Sequence, residues 1–244
     1  MKIFLAGAGG VIGRRLAPML KAAGHSVAGT TRSAAKAEAI RALGAEPVVV
    51  DVFDAGALTR VVAAAAPDAI IHQLTDLPTA PNTPGYEAGL ERNARLRIDG
   101  THNLAAAAKA AGVARFIAQS IAFVYAPGPG LRVESDPLDT AAEGMRKRTV
   151  NAVVALEQAT LAMPEGIVLR YGFLYGPDTW FGDEKRAAPS LHVDAAAHAA
   201  LLSVGKGSRG IYNIAEDDGA VSSDKAKREL GFDAGFRMND KTSA

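Results

Sequence analysis

Four glycines in the run Gly7-Ala8-Gly9-Gly10-Val11-Ile12-Gly13 follow directly on an apolar stretch, Lys2 to Ala6. Behind them Val11 to Ala23 has helix-forming character and stops at Gly24. Glycines at 7, 10 and 13 let a strand turn sharply into a helix. They also let the backbone approach a pyrophosphate, which the free N–H groups and dipole of the helix N-terminus then hold. The strand before and the helix after are the context that makes such glycines more than a tight turn. Gly7, Gly9, Gly10, Val11, Ile12 and Gly13 are therefore expected to bind a dinucleotide.

The residues after the second apolar stretch bear on which dinucleotide. Ser26 to Thr30 leaves through Thr31-Arg32-Ser33. An NAD-preferring site places a carboxylate there to accept hydrogen bonds from the ribose hydroxyls, and none is present. Arg32 instead offers a planar cation to adenine and a 2′-phosphate, with Ser33 and Lys36 close by. NADP(H) is expected over NAD(H), with an ordinary surface arginine as the alternative reading of Arg32. Asp51 and Val52, after the third strand, can meet the adenine amino group; equally, Asp51 can serve only to close a turn.

The elements that must position these groups alternate along the chain. Strands are expected at 2–6, 26–30, 46–50, 69–74, 115–120 and 166–171, and helices at 11–23, 33–43, 55–65, 87–111 and 142–162. Ser33 and Asp54 suit helix N-caps, and Gly24, Gly44 and Gly112 suit left-handed helix ends. Runs such as Pro47-Val48-Val49-Val50 lack polar alternation, as parallel strands covered on both faces do. The pattern predicts an α/β fold, a doubly wound parallel sheet of Rossmann type, over residues 1–177. Residues 178–244, with a helix at 191–204, a strand at 210–214 and a helix at 222–230, are expected to add a small, shortened substrate lobe to the same structural domain.

At 244 residues the chain can bury a sizeable core. A net charge of +1 gives no reason to expect nucleic acid or a membrane surface as partner. The chain has no cysteine, and no His, Asp and Glu grouping has metal-ligand spacing, so no metal is expected. With no leader pattern at the start and no apolar run long enough to span a bilayer, the expected location is cytoplasmic.

Ala6-Gly7-Ala8-Gly9-Gly10-Val11-Ile12-Gly13, Ile70-Ile71-His72-Gln73-Leu74-Thr75, Gly100-Thr101 with Asn103-Leu104, Leu169 to Pro177, His192-Val193-Asp194 and Tyr212-Asn213-Ile214 together resemble motifs of the extended short-chain dehydrogenase/reductase superfamily, in particular its NAD-dependent epimerase/dehydratase group. The resemblance implies that Leu74 and Thr75 end a strand beside the cofactor, and that the protein forms a homodimer through the helices at 87–111 and 142–162. It also exposes departures. Arg97 stands where the group's long helix carries an asparagine. The group's catalytic tyrosine, with a lysine four residues on, is missing: no tyrosine of this chain is followed by lysine at that spacing. The matching positions hold Thr149 and Val153, and Ile121 takes the place of the usual serine.

Gln73, Gln119, Ser120, Tyr125, Tyr171 and His192 lie at or just past strand ends, where ligands bind in open α/β sheets. Among them Ser120 and Tyr125 are the candidate catalytic groups, with a half-buried rim aromatic as the alternative for Tyr125. Tyr171 is placed with the cofactor-binding residues, and His72 is expected to be a core histidine. The chain is read as an NADP(H)-binding oxidoreductase or epimerase/dehydratase-like enzyme, acting on a small carbonyl or sugar-like substrate with a non-standard proton donor. The alternative is a non-catalytic, dinucleotide-binding redox sensor.

Overall fold

The computed structural model describes residues 1–78, 80 and 83–238. Seven parallel strands form the main sheet: β1 (Lys2–Ala6), β2 (Ser26–Thr31), β3 (Glu46–Val49), β4 (Ala69–His72), β5 (Arg115–Ile121), β6 (Glu165–Tyr171) and β9 (Gly210–Ile214). Their order is β3-β2-β1-β4-β5-β6-β9. The chain winds outward from β1 through β3, then returns to β4 on the other side of β1. The crevice at this reversal is where open sheets of this kind bind ligands.

Successive residues of β1 go to opposite faces. Ile3 and Leu5 join one apolar cluster with Leu16, Leu20, Leu191 and Tyr212. Phe4 and Ala6 join another with Leu58, Ile70, Leu104 and Phe116. The period of two thus turns an unbroken apolar run into two cores, one per face. Each fully buried large side chain contributes roughly 1.5–3 kcal/mol. Helices α1 (Gly13–Ala22) and α7 (Val193–Gly205) cover the first face, and α3 (Ala55–Ala65) and α5 (Thr101–Ala110) the second. Because α7, β9 and Phe232 belong to the same sheet and core as β1, the described residues after 177 share the core of the first 177.

Local signals explain most element ends. Asp54 caps α3 by accepting a hydrogen bond from Ala57 N at 2.8 Å. Gly24, Gly44 and Gly112 have φ of +82°, +81° and +72°. Ser33 makes no capping bond; its N–H instead donates to Thr31 Oγ1 at 3.2 Å. The helix expected at 33–43 is a 3₁₀ turn (Ala34–Lys36) followed by α2 (Ala37–Ala42). β4 ends at His72, and beyond it Leu74 N–H turns to the His72 ring at 3.2 Å. The long helix expected at 87–111 is α4 (Tyr86–Arg95) and α5 joined by a π-helical turn, Leu96–Gly100. Two short strands not foreseen, β7 (Phe173–Tyr175) and β8 (Ser190–His192), pair with each other. Helices α6 (Gly144–Leu161) and α8 (Asp224–Leu230) complete the fold. Among the described residues no helix is long and apolar enough to cross a membrane.

Candidate active site

A cleft of about 750 Å³ opens over the strand ends where β1 adjoins β2 and β4. Its floor is the glycine loop. Gly7 has φ +96°, and a Cβ there would lie 2.8 Å from the Gln73 carbonyl. At Gly13 a Cβ would fall 2.1 Å from Gly7 O, so close packing within the loop itself demands glycine. At Gly9 the nearest atom to an added Cβ is Ile40 Cδ1 at 3.7 Å; this glycine borders open cleft. Thr30 Oγ1 holds Gly7 N–H at 3.1 Å. Among the described residues the N–H groups of Val11 and Ile12 have no acceptor. Free donors at the start of α1 above a bare backbone floor fit a dinucleotide pyrophosphate.

The other expected cofactor residues are distributed unevenly. Gly7, Gly9, Gly10, Arg32, Ser33, Val52, Leu74 and Thr75 line the cleft. Ile12 and Gly13 are buried beneath it. Val11 and Tyr171 face an adjoining cavity. Asp51 turns back to accept a hydrogen bond from Phe53 N at 3.0 Å. Arg32 is 61% exposed, with only a long contact to Asp76 at 3.8 Å. Arg14 and Lys36 also line the cleft, and among the described residues Asp76 is the one acid that does. Arg14 escaped the sequence reading, although its place in the first turn after the glycines was a usable signal.

The adjoining cavity, about 420 Å³, shares Thr75 and Asp76 with the cleft. Gln119 and Ile121 of β5, Tyr171 at the end of β6 and Thr149 of α6 form its inner wall. Thr149, at the position matched to the tyrosine, thus faces the cavity. Val153, at the lysine position, is buried with Ile121, Val124 and Val150. Gln73 Nε2 donates to Tyr171 Oη at 3.4 Å, and Gln73 Oε1 has no partner. The phenol proton of Tyr171 has no acceptor among the described residues. Burial pushes this phenol well above its ordinary pKa, so it stays a neutral donor.

Neither expected catalytic residue lines this cavity. Between Gln119 and Ile121 the alternation of β5 turns Ser120 to the other face. There Ser120 Oγ donates to Glu157 Oε1 at 2.7 Å. Arg170 Nε and Nη2 grip the two Glu157 oxygens at 2.8 and 2.7 Å. Arg170 Nη1 donates to Tyr125 Oη at 2.7 Å, and Tyr125 donates to Asn213 Oδ1 at 2.7 Å. The network engages both hydroxyls, so Ser120 and Tyr125, the expected catalytic groups, stand apart from the cavity in this structure. The sequence offered no sign of it, because its bonded pairs lie up to 88 residues apart. His192 also serves structure: its ring accepts Asp194 N–H at 3.2 Å and caps α7.

Arg97 is the departure that matters most to the cavity. It sits in the π-helical turn, is 7% exposed and contributes to the cavity wall. An extra residue in a helical turn re-aims the side chains around it, and such turns cluster at functional sites. No described residue gives the Arg97 guanidinium a hydrogen bond or an ion pair. Burial lowers its pKa to about 10, against the pull of Glu157, so it remains a cation at neutral pH. Its charge reaches His72, whose pKa is lowered to about 4 by burial first and Arg97 second. Neutral His72 accepts Leu74 N–H at Nδ1, leaving Nε2–H to donate to Thr101 Oγ1 at 2.9 Å.

Residues 3–210 match the model of the NAD dependent epimerase/dehydratase family. A 3-diazoavenalumate denitrifying reductase from a Streptomyces species is 38% identical over 243 residues, covering 90% of this chain and 77% of that protein. Among solved structures, UDP-glucose 4-epimerase of Thermotoga maritima with UDP-glucose superposes with a TM-score of 0.78 at 17% identity, over 97% of this chain and 94% of that one. The Bifidobacterium longum UDP-glucose 4-epimerase in complex with NAD+ and UDP superposes with a TM-score of 0.75 at 17% identity, over 98% and 95%. The glycine-floored cleft at the sheet reversal, the family match along most of the chain and a reductase at 38% identity agree: this chain is an NAD(P)-dependent, oxidoreductase- or epimerase-like enzyme, and it belongs to the NAD-dependent epimerase/dehydratase family.

Proposed function

We propose that this enzyme is an NADPH-dependent reductase of a small organic substrate, working without the tyrosine–lysine pair. The observation that carries the reading is the contrast between a complete dinucleotide cleft and a cavity wall of Thr149 and buried Val153. Bound in that cleft, the reduced cofactor would supply a hydride. Gly9, Gly10, Leu74 and Thr75 would hold it there, and Arg14, Arg32 and Lys36 form the cationic end that favours a 2′-phosphate.

What the acceptor is decides what the protein must add. A carbonyl that receives hydride becomes an alkoxide and needs a proton donor. A cationic acceptor, such as a diazo group in its protonated or diazonium form, becomes neutral on taking up hydride and needs none. The diazo substrate in the name of the Streptomyces reductase supports the second class for this chain. Tyr171, a neutral phenol with an unclaimed proton on the cavity wall, is the donor available to the first. A cytoplasmic homodimer through α4–α5 and α6 remains part of this reading, and sedimentation tests the dimer.

The test is oxidation of NADPH and of NADH over aryl diazonium salts, aldehydes, ketones and nucleotide sugars, followed by loss of reduced-nicotinamide absorbance. NADPH turnover with diazonium salts, unchanged in Tyr171→Phe, is expected. Turnover only of nucleotide sugars, or none with any acceptor, would defeat the reading.

A further inference from the structure

Arg97 is a buried cation without an anion. Its nearest carboxylate by charge is Glu157, which already takes two bonds from Arg170 and one from Ser120. Two other acids line the same cavity, and both are engaged elsewhere. Asp76 lies 3.8 Å from Arg32 and 3.7 Å from Arg92. Asp178 lies 3.6 Å from Arg14 and 3.5 Å from Arg15. Burying an unpaired guanidinium is costly, and a fold that retains one on a cavity wall gains from a ligand that completes it.

The cavity itself narrows the ligand. Arg97 is the one cation among its described lining residues, so the match is a single negative charge. A planar guanidinium presents two parallel N–H donors, the geometry of a carboxylate. The wall also holds six aromatic rings: Tyr86, Phe123, Tyr171, Phe173, Trp180 and Phe181. Phe123 and Phe173 stack directly on each other at 3.9 Å with 10° between their planes, so the pair forms one flat apolar block in the wall. Flat apolar surface opposite rings is what a conjugated or aromatic skeleton fills.

We infer that the substrate is a flat, unsaturated organic acid, with its carboxylate held by the fork of Arg97 and its skeleton between the aromatic rings. This rests on the reading of the cavity as the substrate site of a reductase. Arg97 is then the specificity-determining residue. It fixes one end of the acid, so the reducible group lies toward Gln119, Tyr171 and the cofactor cleft.

Calorimetry on the NADP+-saturated protein tests this without turnover. The probes are benzoate, phenylacetate and cinnamate, each against its primary amide, together with UDP. At least one acid should bind roughly tenfold or more tighter than its amide. Arg97→Met should erase that ratio, and Arg97→Lys should keep part of it. The preceding NADP+ titration reports on the cofactor reading separately; should it fail, the acid arms run on the cofactor-free protein. The wild-type comparison of acid with amide decides even where a variant does not fold. Three results overturn the inference: no acid outbinds its amide, the ratio survives Arg97→Met, or UDP alone depends on Arg97.

Discussion

Arg170 and Arg97 both feel Glu157 from buried positions, and they meet it in opposite ways. Burial opposes the charge of Arg170, but the hydrogen bonds and charge of Glu157 more than offset it, and its pKa is held above the ordinary value. Arg97 has no such partner, and burial lowers its pKa. One arginine completes a network of Ser120, Glu157, Tyr125 and Asn213. The other ends at a cavity. A fully paired buried cation belongs to the fold; one without a partner beside a cavity is the kind that a ligand can complete.

The sharpest attack on that distinction is Glu157→Gln, which leaves Arg170 buried against a neutral amide. Removing one member of a buried ion pair costs about 3–5 kcal/mol. Urea unfolding should show a loss of that size. A loss below about 1 kcal/mol would mean the network is not what holds this end of the sheet.

Arg97 leaves a second signature through its neighbour His72. The folded-state pKa of His72, about 4, lies below the ordinary 6.5. Above pH 6.5 both folded and unfolded states are neutral and no penalty exists. As pH falls from 6.5 toward 4, only the unfolded state takes up the proton, so stability declines across that window and levels off below it. The loss is about 3 kcal/mol when the whole window is crossed. His72→Gln, which keeps an acceptor and a donor, should flatten the decline relative to wild type. Equal pH slopes for the two proteins would refute this account.

Arg32 extends the comparison to an exposed arginine, whose side chain is 61% exposed and only loosely met by Asp76. A side chain so exposed contributes little to stability. Arg32→Ala should weaken NADPH by about tenfold or more, close to 1.4 kcal/mol, with NADH affinity unchanged. Equal losses for both cofactors would remove the 2′-phosphate argument. Tyr125→Phe removes a satisfied hydroxyl from the network and should cost about 1 kcal/mol without altering turnover. A collapse of activity in a folded Tyr125→Phe protein would restore Tyr125 to the chemistry.

The sequence made the glycine-floored cleft readable because backbone shapes it. Glycine spacing reports φ and close approach directly, as Gly7 and Gly13 demonstrate. Strands were readable for a similar reason: runs such as Ile70-Ile71 must be buried on both faces. The adjoining cavity was not. The sidedness of Ser120 followed from the strand period, but its bond to Glu157 joins a strand to a helix 37 residues on. Arg97 stood out only as a departure from a resembled motif. Its inward aim depends on one extra residue in a helical turn, and no periodicity at 3.6 residues announces that.

The smallest expected effect separates the two arginines best. Arg97→Met swaps an unpaired buried cation for an apolar chain of similar length, and buried charges replaced in this way often cost nothing or stabilise. Thermal and urea stability should therefore stay within about 1 kcal/mol of wild type, where Glu157→Gln loses several. The same variant removes one of the two causes that lower the His72 pKa. Burial, the larger cause, remains, so the titration of His72 followed by nuclear magnetic resonance should move upward without reaching 6.5. Large destabilisation of Arg97→Met would instead make Arg97 a second structural arginine. An unmoved His72 would mean that the charge of Arg97 does not reach it, and the contrast with Arg170 would fail with it.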